Sequence, residues 1–208
     1  MAGVAAEIMD APTVWPASDA LNAAMDRYAA GDDRAFAAVY DALAPRLYGF
    51  LVRRTNDGAM AEDLVQQTFL QIHRARGSYM QGADVVPWAF AIARRLLIDG
   101  FRRRRREVLG GATDATLENE RSSAEPLADD ALQAQQAAQR FEGELAALPE
   151  AQRVAFQLLK QEGLSLVQAA QTLGTTVAAV KLRAHRAYEA LRGALRDDPA
   201  ATKRKKSV

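Results

Sequence analysis

The chain of 208 residues contains no cysteine, which excludes disulfides and thiolate metal sites and favours a reducing cytoplasm. No apolar run approaches the roughly 20 residues that a membrane-spanning helix needs, and residues 1–20 lack the basic and apolar regions of a signal peptide. The sequence contains two histidines, His73 and His185, and it has neither a glycine-rich phosphate loop nor a recognisable spacing of metal ligands. These absences predict a soluble cytoplasmic protein without metal or cofactor, and they leave a hydrolase as a remote alternative.

Apolar residues make up 49% of the chain, and their spacing is helical with no strand alternation, which predicts an all-α fold. Breaks at Gly31-Asp32, at 56–58 and between Gly77 and Pro87 predict four helices before residue 106. Residues 107–150 hold ten acidic residues against two arginines, and up to Asp130 they offer too little apolar surface to fold. We therefore expect two small helical domains joined by a flexible acidic linker: a flexible N-terminus at 1–18, a first domain at 19–106, the linker at 107–131, a second domain at 132–196 and a basic tail at 197–208.

The second domain contains the spacing of a helix-turn-helix. Ser165 and Gln168 match a capping box, Gly174 permits a tight turn, and Thr175 or Thr176 can cap the next helix. In that helix one face is apolar, formed by Val180, Ala184, Ala187 and Leu191. The opposite side of the helix carries small and cationic side chains and, together with the N-terminal cap residue, is the candidate DNA surface. Its members are Thr176, Ala178, Lys181, Leu182, His185 and Arg186. An ordinary helical hairpin with a solvated basic face is the alternative.

An arginine-rich helix is expected from Pro87 onward, because proline suits the first turn of a helix. Residues 89–106 carry seven arginines against one aspartate, and helical spacing places most of these arginines on one side with Asp99. Such a helix would bind phosphates, and nearby aromatic rings would stack on unpaired bases. We expect Gly100 to weaken the helix, so that its arginine-rich end departs from regular helical geometry. The candidate DNA residues here are Tyr79, Trp88, Arg94, Arg95, Arg102 and Arg103. In the alternative, Trp88 and Phe90 are core residues and the arginines form a solvated tail. For Phe90 the core assignment is the better interpretation.

A third pattern lies in residues 61–76. One helical face, formed by Val65, Thr68, Phe69 and Ile72, should pack inward. The face about 200° around the helix combines a leucine with acidic and amide side chains, which is typical of a protein-docking surface. Its members are Asp63, Gln66, Gln67 and Leu70. A solvated face with one stray leucine is the alternative.

In this order, the segments resemble the bacterial extracytoplasmic-function (ECF) sigma factors, the smallest group of the sigma-70 family. "DDRAFAAVYDALAPRLYGFL", "AEDLVQQTFLQIHRAR" and "PWAFAIARRLLIDGFRRRRR" are similar to sigma region 2. "LPEAQRVAFQLLKQEGLSLVQAAQTLGTTVAAVKLRAHRAYEALR" is similar to sigma region 4. The resemblance covers about residues 32–106 and 145–195. It implies a sigma factor, not an enzyme, that directs promoter-specific initiation of transcription.

The resemblance also implies partners and roles. The face at Asp63, Gln66, Gln67 and Leu70 would dock on the clamp coiled coil of the largest subunit of core RNA polymerase, and region 4 would meet the flap of the second subunit. Residues 77–86 and the helix from Trp88 would capture a flipped base of the minus-ten element and separate the strands, while Lys181, Leu182, His185 and Arg186 would read the minus-thirty-five element. The acidic linker would thread through the polymerase, and an anti-sigma factor would hide both surfaces.

Two positions depart from the family pattern. Arg95 stands where asparagine is usual, and Leu182 stands where a small polar residue is common. Leu182 can offer a base only apolar contact, for example with a thymine methyl group. A stand-alone transcriptional regulator is the rival class, and the docking face at 63–70 argues against it.

Overall fold

The computed structural model of the chain describes residues 18–110 and 129–196. Within these ranges the secondary structure is helical and contains no strand, which confirms the all-α prediction. The expectations for the N-terminal segment before Ser18, for the basic tail and for linker residues 111–128 lie outside the described residues. Residues 107–110 and 129–131, which the sequence pattern assigns to the linker, are helical.

Four helices form the N-terminal part, with breaks where the sequence predicts them. They are α1 (Ser18–Ala29), α2 (Phe36–Thr55), α3 (Gly58–Ala75) and α4 (Val85–Gly110), and short 3-10 turns at Asp33–Ala35 and Arg76–Ser78 precede α2 and follow α3. Asn56 ends α2 in the left-handed region at φ 53°. Asp57 then caps α3 by accepting a hydrogen bond from the Met60 N–H at 2.9 Å, and this bond lowers the pKa of Asp57.

The core of this helical group forms around α2, because its apolar side chains recur at helical spacing and face inward. Phe50 of α2 meets Phe90 of α4 edge to face with ring centroids 5.5 Å apart, so the assignment of Phe90 to the core is confirmed. Although no uninterrupted apolar run has the length of a membrane-spanning helix, the segment Asp33–Thr55 as a whole is long and apolar enough, by length and composition alone, to cross a membrane. Its buried apolar face and its buried Arg46 identify it as a core helix. The other fully buried large side chains of this core include Met25, Leu43, Leu47, Leu51, Ile72 and Leu97.

Helix α4 starts at Val85, which places Pro87 in its first turn as expected. The prediction that Gly100 would disturb the arginine-rich end is wrong, because α4 continues through Gly100 to Gly110. A Cβ at position 100 would lie 3.3 Å from the Cε of Met60. The glycine therefore leaves room for the end of the Met60 side chain of α3 against α4.

The C-terminal part contains α5 (Asp129–Ala147), α6 (Glu150–Phe156), a π-helical segment at Gln157–Gln161, α7 (Leu166–Leu173) and α8 (Val177–Arg196). By contacts, the described residues divide into two compact units, one of 18–110 with 157–180 and the other of 129–156 with 181–196. In the second unit the Phe141 and Phe156 rings lie 6.2 Å apart, and Arg153 donates to the carbonyl of Ala146 at 2.7 Å. In the first unit, α7 packs with α4.

Candidate nucleic-acid interface

The predicted helix-turn-helix forms through local hydrogen bonds. The Ser165 hydroxyl accepts from the Gln168 N–H at 3.1 Å, and the Gln168 side chain accepts from the Ser165 N–H at 2.8 Å, so the capping box is confirmed. Gly174 ends α7 at φ 59°, in the left-handed region that glycine adopts without strain. Of the two threonines considered as caps, Thr176 accepts from the Ala179 N–H at 3.2 Å. The turn before α8 is therefore fixed by the residues that the sequence indicates.

Helix α8 has one packed side and one open side. Val180, Ala187 and Leu191 are fully buried and Ala184 is half-buried, as the apolar spacing predicts. Leu182 has half of its surface exposed to solvent. The candidate DNA residues around it are all exposed: Thr176, Ala178, Lys181, His185 and Arg186. The open side therefore presents cations around one apolar side chain, an arrangement suited to a nucleic-acid groove.

Arg95 and Arg102 of α4 lie on the side away from the buried Ala93 and Leu97. The side chains of Arg95 and Arg102 are 86% and 74% exposed, and they approach the carboxylate of Asp99 at 4.0 and 3.8 Å. These shared contacts show that the three side chains occupy one side of the helix, as predicted, with Arg103 exposed next to them. Arg94 differs, because it is half-buried. Of the four arginines predicted to contact the minus-ten DNA, Arg95, Arg102 and Arg103 are therefore open to a polyanion.

A tight loop lies at the start of α4. Gly82 adopts φ 75°, its N–H donates to Asp26 at 3.0 Å, and the Ala83 N–H donates to the Met80 carbonyl at 3.0 Å. The Tyr79 hydroxyl donates to the Ala83 carbonyl, which closes the loop a second time. Burial, with smaller contributions from Asp26 and Asp84, raises the pKa of Tyr79 to about 12. The loop is thus a defined structure and not a loose connection.

Aromatic and cationic side chains meet beside this loop. The rings of Tyr79 and Trp88 lie 5.2 Å apart, and both residues are half-buried. Next to Trp88, a hollow of about 390 Å³ is lined by α3 and α4 residues, among them Gln71, Ile92, Arg95 and Asp99. An arginine and an indole on the wall of one hollow can hold a planar, partly negative ligand by stacking and by hydrogen bonds. Trp88 therefore contacts the Tyr79 ring and lines the same hollow as Arg95.

The third surface lies on α3. Its inward face is confirmed, since Val65, Thr68, Phe69 and Ile72 are all buried. On the opposite face Asp63 and Gln66 are exposed and Leu70 is 46% exposed. Gln67 is half-buried and donates to the Asp63 carboxylate at 2.6 Å, so these two side chains hold each other in place. The face therefore combines a pre-positioned polar pair with an exposed leucine.

Three features of the described residues were not predicted from the sequence. Met80 is 76% exposed at the tip of the loop before α4. Glu162 is buried and forms an ion pair with Arg53 of α2. Gln168 donates through Nε2 to Asp84 at 2.5 Å, in addition to its capping role. The contacts of Glu162 and Gln168 join positions about a hundred residues apart, which local patterns do not reveal. The part of the chain that the structure describes contains no group of three or more side chains that could hold a metal ion.

Comparison with known proteins finds two matching family models and several related sequences. The family models for Sigma-70 region 2 and Sigma-70 region 4 match residues 39–107 and 138–191. The chain is 36% identical over 168 residues to the RNA polymerase sigma factor CarQ of Myxococcus xanthus, covering 81% of this chain and 93% of CarQ. It is also 36% identical over 173 residues to the ECF sigma factor SigF of Caulobacter vibrioides, covering 82% and 91%.

Solved structures agree on the fold. The sigma factor RpoE in complex with the anti-sigma factor NepR from Bartonella quintana aligns with a TM-score of 0.60 and 26% identity, covering 78% of this chain and 98% of that one. CnrH in complex with the cytosolic domain of CnrY aligns with a TM-score of 0.62 and 22% identity, covering 85% and 97%, which supports the fold alone. The fold and the family matches are those of a transcription initiation factor that works with core RNA polymerase and promoter DNA. The chain belongs to the sigma-70 family, in the ECF group, as its sequence motifs indicate. Members of this group are not enzymes.

Proposed function

We propose that the two helical parts of this sigma factor divide promoter recognition between them. Residues 19–106 bind core polymerase and recognise and melt the minus-ten element. Residues 132–196 read the minus-thirty-five element through α8. The linker at 107–131 connects these tasks inside the polymerase, where its acidic residues mimic nucleic acid.

The observation that carries this proposal is the two-sided character of α4. Its inner side is locked into the core by Phe90 and Leu97, while its outer side exposes Arg95, Arg102 and Arg103. A fixed row of arginines attracts phosphates wherever they lie, which gives affinity without sequence preference. The ring pair of Tyr79 and Trp88 at the start of the same helix adds a stacking surface for an unpaired base. Cations next to rings favour DNA whose strands are parting.

The open side of α8 supports the second half of the proposal. Lys181 and Arg186 can bond guanine O6 and N7 or neighbouring phosphates from an α-helix in the major groove. Leu182 is exposed between them and has no hydrogen-bonding group, so its contact with a base edge is apolar. A thymine methyl group is the base feature that fits it. This residue would give the protein its own preference at one base pair.

The remaining partners follow from the other surfaces and from the relatives. The α3 face of Asp63, Gln66, Gln67 and Leu70 would dock on the clamp coiled coil of the largest polymerase subunit, and residues 132–196 would contact the flap of the second subunit. The related RpoE was solved with an anti-sigma factor, and an anti-sigma factor is the regulator we propose for this chain. With these partners, the protein would act in the cytoplasm and would make no membrane contact of its own.

A library experiment tests the proposal even when the promoter sequence is unknown. Core polymerase and the purified protein would transcribe a template pool randomised at the minus-ten and minus-thirty-five regions, and the transcribed templates would be sequenced. We expect enrichment of one motif in each region, and a variant with α8 neutralised at Lys181 and Arg186 should lose the upstream motif only. Enrichment that does not depend on the added protein would contradict the proposal.

A further inference from the structure

Two side chains of α1 accept hydrogen bonds from the loop before α4 and from the start of α4 itself. The Asp26 carboxylate accepts from the Gly82 N–H at 3.0 Å, and the Asn22 amide oxygen accepts from the Val85 N–H at 3.1 Å. Asn22 and Asp26 are four residues apart and therefore lie on the same face of α1. One helical face thus fixes two points of the backbone between Gly82 and Val85.

The bond from Val85 satisfies a backbone group that α4 itself leaves without a partner. The first N–H groups of a helix have no acceptor within that helix. The Val85 N–H at the start of α4 has Asn22 as its acceptor. The Val86 N–H donates to the Asp84 carboxylate at 3.1 Å, and Pro87 has no N–H. The start of the arginine-rich helix is therefore capped in part by a side chain of α1.

The other end of the loop is anchored beside the same helix. Arg76, which precedes the loop, forms an ion pair with Asp33 at 2.5 Å. Its guanidinium also lies 4.9 Å from the centre of the Tyr28 ring, and Tyr28 is buried in α1. Between these anchors the loop exposes Met80 and Gln81 to solvent. The loop is therefore held at both ends, with two exposed side chains at its tip.

The acidic character of Asp26 fits a role as a backbone acceptor and not as a DNA contact. The loop belongs to the surface that we assign to the minus-ten DNA, and a carboxylate repels phosphates. Asp26 is near enough to Tyr79 to contribute to the raised pKa of that phenol. A hydrogen bond to a charged acceptor is stronger than one to a neutral acceptor, so the carboxylate holds the Gly82 N–H firmly in spite of this repulsion.

We propose that Asn22 and Asp26 are positioning residues for the minus-ten DNA, and that they hold the loop 79–84 and the first turn of α4 in their DNA-binding form before DNA arrives. A loop that is ordered in advance loses less conformational entropy on binding, so the same contacts give a higher affinity. The inference rests on the proposed function, because that function assigns the loop to the minus-ten element. The order of the loop can be measured in the free protein.

A spin label on the loop measures this order directly. The chain has no native cysteine, so Gln81→Cys provides a single attachment site at an exposed position. Continuous-wave electron paramagnetic resonance of the free full-length protein should give the spectrum of an ordered loop. With Asp26→Ala, which removes the acceptor, we expect at least half of the signal to come from a mobile component. With Asp26→Asn, which keeps an acceptor oxygen and removes the charge, the spectrum of the ordered loop should return.

The consequence for DNA is measured with unlabelled protein in complex with core polymerase. The probe is a fluorescent single-stranded oligonucleotide with the minus-ten sequence that the library selection enriches. We expect Asp26→Ala to weaken binding of this probe at least fivefold. Asp26→Asn should stay within twofold of wild type, because the weaker hydrogen bond is offset by the removed repulsion. Affinity for core polymerase should stay unchanged in both variants, since the proposed docking face lies on α3.

The matched control is Tyr28→Phe. The Tyr28 hydroxyl lies 2.6 Å from Nδ1 of His73, so this variant also removes one hydrogen bond of α1 while it keeps the ring next to Arg76. We expect it to lower stability in urea about as much as Asp26→Ala does, and to leave the label spectrum and DNA binding unchanged. If Asp26→Ala loses helical circular dichroism, Asn22→Ala and the conservative Asn22→Asp take its place with the same expectations.

Any of three results would overturn the inference. The first is a label spectrum that is the same with and without the Asp26 acceptor. The second is an Asp26→Asn variant as defective as Asp26→Ala, and the third is an equal loss of DNA affinity with Tyr28→Phe. Failure of the proposed function would look different, because no minus-ten motif would emerge from the library selection while the label still showed loop order that depends on Asp26.

Discussion

The rings of Tyr79 and Trp88 lie 5.2 Å apart at the start of α4 with their planes tilted by 51°, and the Tyr79 hydroxyl donates a hydrogen bond to the Ala83 carbonyl. The pair joins the loop before α4 to the helix that carries the arginines. A base that leaves the duplex would meet rings whose positions are already set, so little ordering cost remains at binding. This relationship leads to the first prediction.

The stability of the loop should respond to alkaline pH through Tyr79. Its pKa in the fold is raised from 10.0 to about 12, so the fold favours the neutral phenol. That contribution is fully present below pH 10 and is lost as the pH rises through about 12. We expect Tyr79→Phe to cost about 1 kcal/mol in urea unfolding at pH 7, through the lost hydrogen bond, and the difference from wild type to shrink above pH 10. Tyr40→Phe, at an exposed tyrosine, is the control. A pH-independent difference for Tyr79→Phe would contradict this account.

The docking face of α3 should control binding to core polymerase. Replacing Gln66 and Leu70 with alanine removes an exposed amide and an exposed apolar side chain without touching the buried face. We expect affinity for core to fall at least about tenfold, which corresponds to about 1.4 kcal/mol, with unchanged circular dichroism. Gln71→Ala is the matched control, since Gln71 belongs to the hollow beside Trp88. Equal affinities for the double variant and wild type would remove this face from the interface.

The arginine row of α4 should act while the strands separate. Neutralising Arg95, Arg102 and Arg103 to glutamine keeps hydrogen-bonding side chains but removes three exposed charges. We expect transcription from duplex promoters to fall at least about tenfold further than transcription from templates with a pre-melted bubble. The two templates control for each other, because general phosphate affinity affects both. Equal losses on both would limit these arginines to non-specific binding.

Base reading by α8 should depend on Leu182 and Arg186 in different ways. Leu182→Ser exchanges an apolar contact for a hydroxyl, so preference at one base pair of the minus-thirty-five element should relax or shift. Arg186→Ala should weaken binding at many sequences, by about 1 to 3 kcal/mol if the arginine bonds a base bidentately. Arg192→Ala, further along the same helix, is the control. Libraries randomised at this element measure both effects. An unchanged preference with Leu182→Ser would mean that another face of α8 meets the groove.

The sequence was sufficient where function depends on local spacing. The capping box at Ser165 and Gln168, the turn at Gly174 and the two faces of α3 depend on residues within a few turns of each other, and the structure confirms them. The structure locates these faces and contains no bound partner, so the site assignments on them stay predictions.

The sequence was insufficient where contacts join distant residues. The effect of Gly100 was misjudged because the packing of Met60 against it cannot be inferred from helix propensity. The burial of Glu162 depends on Arg46 and Arg53 of another helix, more than a hundred residues earlier. A glutamate before a glycine in "KQEGLS" is typical of an exposed turn, so the pattern predicts the opposite of what is found.

The central claim is that this chain directs core polymerase to open promoter DNA, and strand opening can be observed directly. Permanganate oxidises thymines in unpaired DNA, and a promoter obtained from the library selection supplies the template. The account predicts reactive thymines in the minus-ten region when core and this protein are both present, a loss of that reactivity with the Arg95, Arg102 and Arg103 variant, and none with either component alone. Unreactive thymines with both components present, on DNA that the protein and core together bind, would contradict it.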